Sequence, residues 1–518
     1  MKSVMTASRN LSSEPKANIM RSTFDRSHGL KTCFDSDVLV PIFVDEVLPG
    51  DTFNLKANLF GRLATPINPI LDNLYLDTFW FFTPNRLLWS NFKKFMGEQE
   101  DPGDSIDYTI PERSVNPGTG TLCDYMGWPV NGVSITGNVL PLRAYHLIWD
   151  TWFRDQNLQE SAKISLADTQ DVITNTGTYS WSTLHKRGKR HDYFTSCLPW
   201  TQKGDPVALP LGTTAQVQMA PSTSMRMQDA LNSSNFVDIV ELSNDVLSSA
   251  TAAGAGNVTV DLTSATGATI NTLRQSFQIQ RFLERDARGG TRYIEKVLSH
   301  FGVSNAGGDA RLQRPEYLGG SSQQINVHPV PQTSSTDATT PQGNLSAFGT
   351  VSERNSGFIK SFTEHGYIIG LANVRADITY QQGLHRMWSR STQYDFYFPT
   401  FAHLGEQSVL NKEIYVQGTS ADDDVFGYQE RFAEYRYKPS QITGLFRSTA
   451  ASSLDPWHLS EEFTSLPVLN STFIQSNTPL DRAIAVPAEP HLIMDAYFDL
   501  KCTRPMPVYS PPGLIDHF

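Results

Sequence analysis

Hydrophobic positions along this chain follow two periods, a period of two near both ends and a period of 3.6 in the middle. Over 52–60, Phe53, Leu55, Ala57 and Leu59 alternate with Asn54, Lys56 and Asn58, which predicts a half-buried strand. Over 491–502, Leu492, Met494, Ala496, Phe498, Leu500 and Cys502 alternate with Asp495, Asp499 and Lys501, the clearest strand pattern in the sequence. The stretch 38–44 (VLVPIFV) is dense in strand formers, and Pro41 assigns it to an edge or a bulge. Leu48-Pro49-Gly50-Asp51 has the form of a type II turn. Residues 74–82 (LYLDTFWFF) are apolar almost throughout, which predicts a strand covered on both faces. Toward the end, 365–380, 393–398 (QYDFYF) and 428–437 read as further strands.

The helical period begins after Thr83-Pro84, a cap followed by a first-turn proline. There Leu88, Phe92 and Phe95 form a stripe widened by Trp89 and Met96. A second helix is predicted over 141–154, with Leu142, Tyr145, Ile148, Trp149 and Trp152 facing inward. Helical signals return over 270–301, broken at Arg288-Gly289-Gly290 and stopped at Gly302. Residues 304–355, rich in Gly, Ser, Thr, Gln and Pro, read as loop. The prolines of the tail 503–518 favour an extended arm. The pattern predicts a mainly β fold. It favours one antiparallel β-sandwich, a jelly roll or similar, carrying large helical and loop insertions over about 83–360. No period of 20–50 residues recurs, which disfavours solenoids and propellers.

Composition sharpens this picture at one place. Of the 57 residues from Gly212 to Ala268, 28 are Gly, Ala, Ser or Thr, and Phe236 and Arg226 are the lone aromatic and lone basic residue. Such a stretch cannot easily build its own core, so it reads as a surface insertion stabilised by packing against copies of itself. Its segments 237–240 (VDIV) and 258–262 (VTVDL) argue against a flexible linker. Elsewhere 29 Phe, 18 Tyr and 9 Trp exclude a disordered chain. No run of ten apolar residues occurs, against the roughly 20 that a membrane span needs. The N-terminus lacks a signal-peptide pattern, so synthesis in a cytoplasm is expected. Cys33, Cys123, Cys197 and Cys502 lie far apart and suggest no metal ribbon or redox pair.

The 518 residues carry a formal charge of −11, unevenly spread. An N-terminal arm, 1–35, holds Lys2, Arg9, Lys16, Arg21, Arg26 and Lys31, and over 1–31 these face only Glu14 and Asp25. A basic, Ser-rich arm ahead of an acidic body is the pattern of an interaction tail and a candidate phosphate binder. A second basic cluster, Lys186, Arg187, Lys189 and Arg190, is followed by Tyr193, Phe194 and Trp200. Cations beside rings can grip a single strand, and the same pattern also fits a solvated loop leading into a buried turn. No phosphate loop, HExxH helix or nucleophile elbow is present, so no catalytic residue is assigned. Asp422-Asp423-Asp424 and the loop 98–104 (EQEDPGD) could offer oxygen ligands to Ca²⁺, but neither has EF-hand spacing, and solvated turns are the better reading. A large aromatic-rich β protein with abundant loops, extended ends and no catalytic spacing reads as structural. A β-rich glycan-binding protein or glycoside hydrolase is the alternative.

Six segments carry a resemblance to a known family. They are 84–98 (PNRLLWSNFKKFMGE), 141–157 (PLRAYHLIWDTWFRDQN), 185–207 (HKRGKRHDYFTSCLPWTQKGDPV), 281–303 (RFLERDARGGTRYIEKVLSHFGV), 384–390 (LHRMWSR) and 504–518 (RPMPVYSPPGLIDHF). In this order, over nearly the whole chain, they resemble the major capsid proteins of gokushoviruses, small single-stranded DNA bacteriophages of the Microviridae. The resemblance implies an eight-stranded jelly roll that assembles with copies of itself into a T=1 icosahedral virion shell around circular single-stranded DNA; no cofactor is expected from the residues, apart from the structural Ca²⁺ that the acidic clusters leave open. It implies that Gly212 to Ala268 gathers at three-fold axes as a protrusion for attachment to a bacterial host receptor. It also implies three helper partners: a small basic DNA-packaging protein, a pilot protein and an internal scaffolding protein. On this reading the C-terminal arm ties neighbours together through Met506, Val508, Tyr509, Leu514, Ile515 and Phe518, and the N-terminal arm adds Phe24 and Leu30.

Overall fold

The computed structural model describes residues 20–205, 207, 270–290, 295, 298–300, 313–336 and 341–509, together with the backbone of five strands between 216 and 261. The chain divides into two compact units, Met1–Pro199 with Asn305–Phe518, and Trp200–Ser304. In chain order the strands are β1 Ser22–Asp25, β2 His28–Phe34, β3 Val40–Val47, β4 Thr52–Leu63, β5 Leu74–Pro84, β6 Glu112–Val115 and β7 Ile135–Asn138. Within the inserted unit follow β8 Gln216–Gln218, β9 Met225–Asp229, β10 Asn232–Leu242, β11 Val246–Ala250 and β12 Thr259–Asp261. The first unit resumes with β13 Glu316–Pro331, β14 Leu345–Ser361, β15 Gly366–Ala376, β16 Glu406–Leu410, β17 Val425–Glu430 and β18 Leu492–Arg504.

One curled antiparallel sheet organises the first unit, in the order β1-β18-β4-β14-β13-β5-β15-β3. β1 and β2 lie end to end along β18, pairing with residues 501–504 and 492–498 respectively, so the sheet has eight strand positions. β13 pairs with β5 over its first part and with β14 over its last, which lets the sheet fold over on itself. The result is a jelly-roll sandwich. Its centre is a ring cluster drawn from both halves: Phe43 of β3 and Trp80 of β5 meet Phe498 of β18 at 5.3 and 6.2 Å, and Trp80 meets Phe358 of β14 at 6.2 Å. Edge-on and tilted contacts suit the ring quadrupoles and exclude water from the core.

The period-two patterns translate directly. Phe53, Leu55, Ala57 and Leu59 of β4 and Leu492, Met494, Ala496, Phe498 and Leu500 of β18 are buried in this core. β5 is covered on both faces. Leu76, Trp80 and Phe82 enter the sandwich core, whereas Phe79 and Phe81 face a second cluster with Trp89, Tyr145, Ile148 and Trp149. β3 is the edge strand Pro41 implies, with a register shift opposite Gly370 and Leu371. Gly50 takes φ 88°, and the Asp51 amide donates to the Leu48 carbonyl at 3.0 Å, closing the turn.

Five expectations are corrected. Thr83-Pro84 ends β5 rather than starting a helix: Pro84 is extended, and only the turns Asn85–Leu87 and Phe92–Phe95 follow. Leu88, Trp89 and Phe92 are still buried. The helix of 141–154 is real but runs Leu140–Ile148 and widens into a π turn, Trp149–Phe153. The stretch 304–355 contains most of two long strands, β13 and part of β14. Their small residues are needed: a Cβ on Gly320 would sit 2.2 Å from the Thr78 carbonyl oxygen, and one on Gly357 2.0 Å from that of Leu55. Strand 393–398 is absent: Gln393–Asp395 is a single turn held by a Thr392–Asp395 capping box. Likewise β17 stops at Glu430, because Phe432 turns left-handed at φ 64°.

In the second unit, β9, β10 and β11 form a three-stranded antiparallel sheet and β8 pairs with β12. The segments 237–240 and 259–261 thus fall on strands, as their β-branched content implies. The helix Ile270–Arg288 ends at Gly289-Gly290, as expected. Most of the helix expected over 292–301 lies outside the described residues.

Candidate assembly and nucleic-acid surfaces

The proposed basic arm is narrowed by the sheet. From Ser22 onward the chain is β1 and β2, so residues 22–34 are an edge of the sandwich rather than a free tail. The Arg21 guanidinium donates to the Gly50 carbonyl and to Thr52 Oγ1. Arg26 forms a two-pronged pair with Asp45 at 2.5 and 3.0 Å, and Lys31 meets Asp495 at 3.0 Å. The last pair is exposed and contributes little. Phe24 and Leu30 are half-buried. Lys2, Arg9 and Lys16 lie outside the described residues.

The second basic cluster is a strap. The Leu39 amide donates to the His185 carbonyl, the Arg187 amide to Asp37, and the Lys189 amide to Ile474, so 185–189 runs extended between two segments. An extended chain alternates its side chains. Arg187 and Lys189 turn in: Arg187 pairs with Asp77 and lies over Phe79 at 4.7 Å, and Lys189 pairs with Glu461 at 2.5 Å above Phe473. Arg190 pairs with Asp377 at 2.8 Å, and Lys186 reaches Asn477 at 3.4 Å. Asp77 also receives Arg375 at 2.9 Å. Burial acts to raise the Asp77 pKa, but Arg187 and Arg375 hold its carboxyl below the usual range. Tyr193 and Phe194 sit in a third apolar cluster and offer no open face for base stacking.

His185, at the head of this strap, stacks flat on Trp149 with ring centres 3.8 Å apart. Its Nε2 lies 2.7 Å from His146 Nδ1, and His146 Nε2 lies 2.9 Å from the Trp181 carbonyl. That carbonyl requires the proton on His146 Nε2, which leaves Nδ1 to accept from His185. Burial pushes the His146 pKa down to about 4, so both rings are neutral in the folded protein at neutral pH.

The acidic candidates are local turns. Asp422 accepts the Gln417 and Gly418 amides at 2.9 and 2.8 Å, and Asp423 pairs with Lys412 at 2.7 Å. Asp104 accepts the Glu100 and Asp101 amides and faces Lys94 at 3.4 Å. Among the described residues no group of three or more His, Cys, Asp or Glu is placed to hold a metal ion.

At the C-terminus, β18 carries the chain to Arg504, whose guanidinium reaches the buried Asp51 at 3.2 Å. Beyond it Met506, Val508 and Tyr509 are exposed. Leu514, Ile515 and Phe518 lie outside the described residues, as does most of Gly212 to Ala268 apart from its strand backbones. One surface escaped the sequence reading. Trp388, Phe396, Tyr397, Phe398, Tyr435 and Tyr437 are all about half exposed or more. The segment QYDFYF reads as a strand from its alternation, which does not single out its rings as an open face.

Nearly the whole chain, residues 12–514, matches the family model described as capsid protein (F protein). The chain belongs to this phage capsid protein family. It is 46% identical to capsid protein VP1 of Bdellovibrio phage phiMH2K, with 97% of each chain covered. It is 44% identical to capsid protein VP1 of Chlamydia phage 1 and 38% identical to that of Spiroplasma virus 4, with 96% of each chain covered in both cases. The resemblance to gokushovirus major capsid proteins is borne out. This phage capsid protein is a structural component of the virion and not an enzyme, which removes the glycoside hydrolase alternative. No helix among the described residues is long and apolar enough to cross a membrane.

Proposed function

We propose that this capsid protein closes into a T=1 icosahedral shell around circular single-stranded DNA, with the insertion 212–268 forming three-fold protrusions that attach to a bacterial receptor. The observation that carries the shell reading is the contrast between the sandwich and its tail. The sandwich is complete within one chain, yet Met506, Val508 and Tyr509 project uncovered past its last strand. An apolar tail of this kind gains burial only on a neighbour, at roughly 25 cal/mol per Å² before ordering costs.

Charge supports a division of labour with a partner. Arg187, Lys189, Arg190, Arg21 and Arg26 have internal partners, so the proposed phosphate contacts of the arm are Lys2, Arg9 and Lys16, which lie outside the described residues, and the exposed Lys31. A chain of net charge −11 needs a separate basic packaging protein to neutralise a genome. Scaffolding and pilot proteins complete the proposed set of partners. Electron microscopy of the expressed chain, with and without the phage helper proteins, tests the shell: closed uniform particles are expected, and a permanently monomeric chain under both conditions refutes it. Nucleic acid extracted from particles, treated with single-strand-specific nuclease, tests the cargo.

A further inference from the structure

We infer that the aromatic face built by residues 384–398 and 435–447 is an interface on which a second copy of this chain docks. The inference rests on the capsid reading and adds to it the surface involved. Every residue from 391 to 400 is exposed, including Tyr394, Phe396, Tyr397 and Phe398. This segment nevertheless has a defined course. Thr392 and Asp395 cap its turn, Tyr397 packs on Phe432 at 5.4 Å and on Tyr435 at 6.3 Å, and Arg390 bridges Phe396 and Tyr435 at 5.3 and 4.2 Å. Beside it opens a recess of about 500 Å³ whose walls include Leu384, Trp388, Tyr435, Tyr437 and Ile442. Trp388 is 69% exposed.

Two quantities select the occupant. The first is area. Seven rings at about half exposure, each worth roughly 200 Å² when fully open, present roughly 800 Å² of aromatic surface. That equals the ~800 Å² per partner of a standard protein interface and exceeds the few hundred Å² of apolar patch usual on a monomer. The second is charge. The arginines among the rings are already engaged: Arg386 with Glu413 at 3.0 Å, Arg390 with Glu434 at 3.1 Å, Arg436 with Glu430, and Arg447 with the Gln381 carbonyl at 2.6 Å, while Lys438 at the rim is exposed. A face for a nucleic-acid strand would hold its arginines open for phosphates. Neutralised arginines among tyrosines, phenylalanines and a tryptophan match the composition of a protein interface core. In a shell the same face on every copy can meet a different face of its neighbour, and the recess receives that neighbour's projecting side chains.

The test uses the full chain in two double variants: Trp388→Ser with Tyr437→Ser, and the conservative Trp388→Phe with Tyr437→Phe. Particle yield on sucrose gradients and electron micrographs is compared with thermal melting of the unassembled subunit. The serine variant is expected to melt within a few degrees of wild type while particle yield falls at least tenfold, and the phenylalanine variant is expected to assemble. Hydrogen exchange at 391–400 should slow when wild-type subunits enter particles. Wild-type particle yield from the serine variant, or unchanged exchange at 391–400 on assembly, overturns the inference and leaves the capsid reading intact. If wild type forms no particles at all, the shell reading fails. The face is then judged by sedimentation: self-association lost in the serine variant supports it, and monomers in both overturn it. Binding of a fluorescent oligo(dT) that the serine variant loses also overturns it, in favour of a nucleic-acid strand.

Discussion

Replacing Arg187 with methionine separates a structural role for the 186–190 cluster from a nucleic-acid role. Methionine keeps apolar volume beside Phe79 and Phe153, over which the guanidinium lies at 4.7 and 5.9 Å, so the loss is mainly electrostatic. Asp77 has a side chain only 3% exposed and would keep a single cation, Arg375 at 2.9 Å. Breaking a buried pair costs about 3–5 kcal/mol, and the surviving arginine places this change near the lower end, about 3 kcal/mol. Against a total stability of about 5–15 kcal/mol, that is a large fraction. Urea unfolding of the unassembled subunit, followed by tryptophan fluorescence, reads it directly. The double variant with Asp77→Asn should recover part of the loss, because the orphaned carboxylate is gone. The difference between wild type and Arg187→Met has a definite pH sense. The folded Asp77 pKa lies below its unfolded value, so the stabilisation is present above about pH 4 and disappears as pH falls through the folded value. An unchanged urea midpoint together with reduced DNA per particle would refute the structural assignment.

Three further outcomes are expected. Burial holds the His146 pKa down at about 4 in the folded chain against about 6.5 unfolded, so the unfolded state takes up the proton first; the contribution of His146 to stability is full above about pH 6.5 and about 3 kcal/mol of it is lost as pH drops to 4. His146→Gln should flatten that slope in urea midpoints measured across the range, and an identical slope contradicts the assignment. Deleting 212–268 should leave the jelly roll folded, with a melting temperature within a few degrees of wild type, while impairing infection; loss of soluble folded protein counts against a separable insertion. Neutralising Lys2, Arg9 and Lys16 should lower genome retention without changing subunit melting, and equal DNA content in purified particles argues against an arm that binds DNA.

Legibility in the sequence tracked how local each determinant is. β4 and β18 could be read because one dry and one wet face write a period-two pattern into consecutive residues. β5 could be read as doubly covered because nine of its positions are almost all apolar. β13 and β14 could not, since what holds them is backbone pairing and close strand approach, for which Gly and Ser are the fitting residues. Their buried polar contacts also come from afar: Thr78 Oγ1 donates to Glu353 at 3.0 Å, and Trp80 Nε1 donates to Ser356 at 3.2 Å. The basic strap misled for the same reason. Asp77, Asp377 and Glu461 lie 110, 187 and 272 residues from their partners, so no local pattern announces that the charges are already spent. The capsid family was legible through whole segments, where many residues match at once.

These placements bear on how a shell of this kind could be switched between free subunit and assembled state. A side chain cannot serve two partners at once: a cation that already stabilises the sandwich by several kcal/mol is poorly available to a genome. The sandwich has used most of its central arginines on its own carboxylates, and Arg386, Arg390 and Arg436 of the aromatic face likewise. Among the described residues, the large exposed apolar surface is peripheral, namely the rings of 388–398 and 435–437 and Met506, Val508 and Tyr509 beyond Arg504. Association through such surfaces is driven by apolar burial, which weakens on cooling and survives added salt, whereas phosphate binding by a basic arm weakens steeply with salt. On the proposed reading the two processes are therefore separable by solvent alone. Raising ionic strength should release DNA before it opens the shell, and cooling should loosen subunit contacts before it frees the genome. A shell that opened and released its DNA together, at one salt concentration and independently of temperature, would mean that charge, and not apolar surface, holds its subunits in place.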